Sequence, residues 1–213
     1  MLVFMLALVM LVVMVQVGLV SIAFDKLGLS PESAYLLLFC TLIGSPINLP
    51  LFTLKADKSF MPRLPTELQR RLYLGLPADR GKILVLANVG GAVVPAAFSF
   101  YLIVHNPMNF LQVAASVAGV ALIVYAISRP IPGAGIVMPT LIAPIAAALI
   151  ATIVDPAQRA PLAYVGGTLG VLAGADMMRL NDIRRLGSPV ASIGGAGTFD
   201  GVYITGLLAV LLA

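Results

Sequence analysis

Seven stretches of this chain run 18 to 24 residues with almost no charge: 2–24, 32–53, 83–104, 110–127, 135–154, 161–178 and 190–213. About 20 apolar residues are what a helix needs to cross roughly 30 Å of hydrocarbon. The runs are continuous rather than alternating, which excludes the two-residue period of a membrane β-barrel. The sequence therefore predicts an all-α polytopic bundle of about seven transmembrane spans in a single domain, 1–213, with a polar cytoplasmic loop at 55–82.

Composition agrees. Of 213 residues, 60% are hydrophobic and 10% charged, against roughly 45–50% and 25% in soluble domains. Such a chain cannot cover its apolar surface with polar side chains, which argues against a soluble enzyme or a disordered protein. The net charge of +4 comes from 13 basic residues, and no basic run is interleaved with aromatics, so nucleic acid is not an expected partner. The expected partner is the lipid bilayer. Met1–Phe24 has no basic start and is too long for a signal peptide, so it reads as a retained span.

Loop charge sets the expected orientation. Lys55, Lys58, Arg63, Arg70, Arg71, Arg80, Lys82, Arg129, Arg179, Arg184 and Arg185 fall in one alternate set of loops, and Lys26 and Arg159 in the other. Eleven against two predicts a cytoplasmic N-terminus and an external C-terminus. Within the basic loop, 66–73 reads as a short surface helix.

The breaks in the runs carry information too. Ser30-Pro31-Glu32 is a helix start, and Gly44-Ser45-Pro46-Ile47-Asn48-Leu49-Pro50 is expected to break or kink the second run. Asn88, Gly90-Gly91 and Pro95 predict a close-packed, kinked face, with Asn48 and Asn88 bonding across helices. The lone Cys40 and lone His105 suggest filler and loop residues rather than a redox or metal site. No cofactor motif is present, so neither a cofactor nor a metal is expected.

Two of nine carboxylates, Asp176 and Asp200, lie inside apolar runs. A charge there is unfavourable by about 2.5–3.5 kcal/mol on insertion scales and is a functional-site hypothesis by default. From the outer ends of their runs, Asp176 is about 22 Å inward and Asp200 about 20 Å at 1.5 Å per residue. On consecutive antiparallel spans they fall at one level. Two close carboxyls share a proton, so one can act as base toward water and the other as acid toward a carbonyl. Arg179, three residues after Asp176, lies on the same helix face, where pairing would hold Asp176 ionised.

Gly197-Thr198-Phe199-Asp200 resembles the Gly-x-hydrophobic-Asp and Gly-x-Gly-Asp motifs of intramembrane aspartyl proteases, the presenilin and preflagellin-peptidase group. That resemblance implies a catalytic dyad of Asp176 and Asp200 and a transmembrane peptide substrate. Gly197, Thr198, Phe199, Gly201 and Tyr203 would then line or support the site. Pro139 and Leu141, in Pro139-Thr140-Leu141, stand in for the family's Pro-Ala-Leu motif, which does not follow Asp200. Gly174-Ala175-Asp176, the stretch Pro189–Gly201 and Arg129-Pro130-Ile131-Pro132-Gly133 also resemble a prokaryotic multi-pass family known as domain of unknown function 1614, which implies the inner (cytoplasmic) membrane of a prokaryote as the location. Three functions stay open at this point: an intramembrane aspartic endopeptidase, a proton- or ion-coupled transporter using the two aspartates, and a non-enzymatic assembly factor. The oligomeric state is left open.

Overall fold

The computed structural model describes residues 17–57, 82–131, 135–186, 188–195 and 201–213. The first sixteen residues, the basic segment 58–81 with its expected helix, and Gly197, Thr198, Phe199 and Asp200 lie outside this set.

The described chain is mixed rather than all-α. Two helices, α1 (Val17–Lys26) and α2 (Pro31–Gly44), meet at a bend of 115°. Strands β1 (Asn48–Lys55) and β2 (Lys82–Asn88) follow, then a π-helical turn, π1 (Val89–Val93), leading into α3 (Val94–His105). After α4 (Phe110–Ile127) comes a hairpin of β3 (Arg129–Ile131) and β4 (Gly135–Val137), then α5 (Ile142–Val154). Next, α6 (Arg159–Val171) ends in a second π-helical turn, π2 (Leu172–Met177). The short α7 (Leu180–Ile183), β5 (Val190–Ile193) and α8 (Gly201–Leu212) complete the chain.

The seven-span all-helical bundle is thereby corrected. Among the described residues, only α4 is by itself long and apolar enough to cross a membrane, and α1 with α2 would qualify only as a bent pair. The apolar runs at 32–53, 83–104, 135–154 and 190–213 each divide between strand and helix. A short apolar, β-branched run fits a buried strand as well as a buried helix, and hydropathy does not separate them. Pro46 and Pro50 stop α2 from continuing, and Ile83-Leu84-Val85-Leu86 pairs as a strand. Only 110–127 keeps its expected bounds. Asn109 begins it with a capping box, accepting from the helix's first turn while Gln112 returns a bond to the Asn109 amide at 2.8 Å.

A three-stranded sheet of order β1-β2-β5 stands at one end of the helices. β1 runs antiparallel to β2, from Asn48 opposite Asn88 to Lys55 opposite Lys82. β5 runs parallel to β2, from Leu84 opposite Val190 to Ala87 opposite Ile193. Ile83 on the covered face packs with Ile183 and Leu186. The main core is built around α6, where every residue from Pro161 to Thr168 is buried, flanked by α4, α5 and α8. Small residues bring these helices close. A Cβ on Gly166 would overlap the Ser116 hydroxyl, and one on Gly170 would sit 2.6 Å from Val120 Cβ.

Candidate functional site

β2 and β5 end at the same level, and a glycine pair follows each: Gly90-Gly91 after β2, Gly194-Gly195 after β5. Gly194 and Gly195 have φ of +75° and +87°, a region that favours glycine. The two turns meet backbone to backbone. A Cβ on Gly91 would overlap the Gly194 carbonyl oxygen, and one on Gly194 would lie 2.6 Å from the Gly91 carbonyl carbon. Gly90 is equally confined: a Cβ there would overlap the Thr41 carbonyl and lie 2.6 Å from the Ser45 amide nitrogen. Three segments thus converge without side chains between them.

Asn88 sets this geometry. Its side-chain carbonyl accepts from the Gly91 amide at 2.7 Å, capping π1. Its amide nitrogen donates to the Ser45 carbonyl at 2.6 Å and to Asn48 Oδ1 at 3.2 Å. The Ser192 hydroxyl donates to the same Asn48 oxygen at 2.8 Å. The expected Asn48–Asn88 bond is therefore present, between strands rather than helices.

Asp176 joins this arrangement through Gly194. It sits near the end of π2, half-buried, and its Oδ2 accepts from the Gly194 amide at 2.8 Å. π-helical turns inside helices occur frequently at functional sites, and here two of them flank one carboxylate and its glycine partner. π2 is held in turn by Gly174, where a Cβ would overlap the Ala121 carbonyl of α4.

Arg179 does a different task from the one its spacing suggested. Its guanidinium donates to the Ser128 hydroxyl at 3.2 Å, the Ser128 carbonyl at 2.7 Å and the Tyr125 carbonyl at 2.5 Å. It also pairs with Asp182 at 2.9 Å and lies 4.3 Å from the centre of the Tyr125 ring. Those carbonyls belong to the carboxyl end of α4, where a cation complements the helix dipole.

α8 follows the glycine pair and runs antiparallel to α6. Its far end is held by Lys26, whose ammonium donates to the Val210 and Leu211 carbonyls at 3.3 and 3.2 Å. Lys26 lies beyond the start of α2, whereas the end of α2 touches Gly90. With Gly206 against Thr168 and Tyr164, and Gly167 against Thr205 and Ala209, Gly201 starts α8 level with residues 171–173. Asp176 is then about 5–7 Å further along at 1.5 Å per residue. Of the other expected site residues, Tyr203 is buried in the first turn of α8. Pro139 and Leu141 are exposed in the turn before α5. The Gly194 amide was not anticipated as a site group. Its signal was the repetition of a glycine pair after two apolar runs.

Residues 42–212 match the family described as a protein of unknown function, DUF1614, and the chain belongs to that family. No curated protein and no solved structure matches it.

Proposed function

We propose that this DUF1614 protein is a membrane-embedded aspartyl hydrolase that cleaves peptide bonds with Asp176 and Asp200. The observation that carries the reading is the position of Asp176 beside β5, which among the described residues is an edge strand of its sheet and leads into the Asp200 segment.

The edge can be followed residue by residue. The Leu84 amide donates to the Pro189 carbonyl, and in a parallel ladder alternate residues face the partner strand. Val190 and Ser192 therefore direct their backbone groups away from β2, while Gly194, just past the ladder, sets its carbonyl against Gly91. The Ser188 hydroxyl occupies both groups of Val190, donating to its carbonyl at 2.6 Å and accepting from its amide at 3.4 Å. The Gly194 amide is taken by Asp176. Ser192 lies between them. An extended peptide added beside β5 would bond through Ser192 and bring its next peptide unit to the Asp176 carboxyl. Asp200 is six residues past Gly194 and directly precedes α8. One carboxyl then accepts a proton from water while the other donates one to the peptide carbonyl.

The bilayer setting draws support from the helix surfaces. Phe39, Phe100, Phe110, Leu111, Leu149 and Ile153 are exposed on four different helices. Apolar surface of that extent marks an interaction with a membrane or another protein.

The test uses the full chain with Cys40→Ser. Cysteines replacing Asp176 and Asp200 should be joined by the shortest bifunctional thiol reagents in native membranes. In reconstituted protein, Asp176→Asn and Asp200→Asn should each abolish cleavage of single-span peptides. Thiols that react singly yet are never linked would remove the dyad. A proton- or ion-coupled carrier is the second reading, favoured by the 115° break between α1 and α2 and by the two π-turns, since interrupted helices suit ion sites. Ion flux in vesicles that is lost in the same variants, without peptide cleavage, would select it.

A further inference from the structure

The 115° bend between α1 and α2 opens a cleft of about 660 Å³, within the range of about 300–1,000 Å³ typical of small-molecule sites. Phe24 and Ala34 are buried at its base, and Val20 and Leu38 line its sides. Ser21, Asp25 and Tyr35 supply the polar side chains of its wall. The cleft is thus mostly apolar with a carboxylate on its wall.

That carboxylate is uncommitted. Among the described residues, the Asp25 side chain makes no hydrogen bond or ion pair. Its neighbour Lys26 extends instead to the end of α8, on the Val210 and Leu211 carbonyls. The nearby Ser21 hydroxyl is occupied by the Val17 carbonyl at 2.9 Å. Glu32, next to the lining residue Pro31, adds a second negative charge. A head group of net negative charge is therefore disfavoured. A primary ammonium can donate to Asp25, and such charge-assisted bonds are the strong ones. A quaternary ammonium has no N–H to donate.

We propose that the cleft between α1 and α2 binds a membrane lipid with a primary-ammonium head group, its acyl chain along Val20, Phe24 and Leu38 and its ammonium on Asp25. The proposal rests on the bilayer setting given above but not on the aspartyl chemistry.

The chain has no tryptophan, so one introduced indole gives a single signal. Tyr35→Trp reports the cleft, and Leu122→Trp reports the outer face of α4. Both side chains are exposed, so neither replacement opens the core. Each full-length variant is placed in phosphatidylcholine vesicles containing a minor share of acyl-brominated phosphatidylethanolamine or acyl-brominated phosphatidylcholine. In Tyr35→Trp the ethanolamine lipid should quench about fivefold more effectively, because only its ammonium can donate to Asp25 and a solvent-exposed charged pair gives at most about that ratio. In Leu122→Trp the two lipids should quench alike. Adding Asp25→Asn to Tyr35→Trp should remove the difference. Equal quenching in Tyr35→Trp, a preference that survives Asp25→Asn, or the same preference in Leu122→Trp would overturn the proposal. If neither lipid quenches Leu122→Trp, the bilayer setting itself falls, and the lipid cleft with it.

Discussion

Gly91 and Gly194 touch through their backbones, with the Gly194 carbonyl oxygen where a Gly91 side chain would begin. The same Gly194 donates its amide to Asp176. A methyl group at Gly91 must therefore move the strand end that holds the carboxylate. Overpacking of this kind destabilises by about 1–3 kcal/mol, and Gly194→Ala adds the strain of a positive φ, about 1–2 kcal/mol. Both variants should lower the thermal midpoint, with Gly194→Ala the lower. Gly18→Ala, where a Cβ meets nothing within 4 Å, should not. Equal midpoints for all three would show that the contact can relax.

Arg179 joins the segment after Asp176 to the carboxyl end of α4. Arg179→Ala would leave the Ser128 and Tyr125 carbonyls without that donor, and Ser128 is 1% exposed. Hydrogen bonds to charged groups contribute about 1.5–3 kcal/mol, so a loss of that size is expected. Arg179→Lys should recover little of it, because an ammonium cannot reproduce the planar fork across two carbonyls and a hydroxyl. Hydrogen exchange at the end of α4 should speed up in both variants. Full recovery in the lysine variant would mean that charge alone matters there.

These two relationships mark where the sequence was legible. α4 was readable because 110–127 is long and unbroken and starts at a capping asparagine, so period, length and cap agree. The bond between Asn48 and Asn88 was foreseeable from two amides in neighbouring apolar runs. The sheet was not, since Ile83-Leu84-Val85-Leu86 and Val190-Ala191-Ser192-Ile193 are apolar whichever way they fold, and strand pairing is decided over a hundred residues away. Arg179 was misleading for a related reason. Its spacing from Asp176 implies a pair on one helix face, but π2 changes the helical phase just before it, and the end of α4 offers three acceptors.

Asn88 gives a prediction with a pH sign. It donates to Ser45 and Asn48 and accepts from Gly91, at 1% exposure. Asn88→Asp keeps the acceptor for Gly91 but turns a carboxylate toward two oxygens. Desolvation and those oxygens raise the folded-state pKa of the new group above its unfolded value. The folded state then binds the proton more tightly, so the deficit relative to the parent should be largest above the folded-state pKa. It should shrink as pH falls through that value. Thermal midpoints of parent and variant, compared from neutral pH to about pH 4, near the unfolded carboxyl value, should converge. A constant gap would mean that the carboxylate finds water.

Asp176 has two roles that substitution can separate. As an acceptor for the Gly194 amide it helps to hold the end of β5, and as an acid or base it needs an exchangeable proton. Asn at 176 still presents an oxygen to the Gly194 amide, so Asp176→Asn should keep the thermal midpoint near that of the parent. Asp176→Ala removes the acceptor and should be destabilised by about 1–3 kcal/mol, the penalty of an amide left without its partner. Catalysis sorts the variants differently. If Asp176 is one of a proton-sharing pair, asparagine and alanine should abolish peptide cleavage alike, because neither can take a proton from water. A purely structural Asp176 would leave the asparagine variant active in proportion to its folded fraction. Midpoint and cleavage rate measured on the same reconstituted samples therefore distinguish a carboxyl that shapes the β5 edge from one that also performs chemistry there.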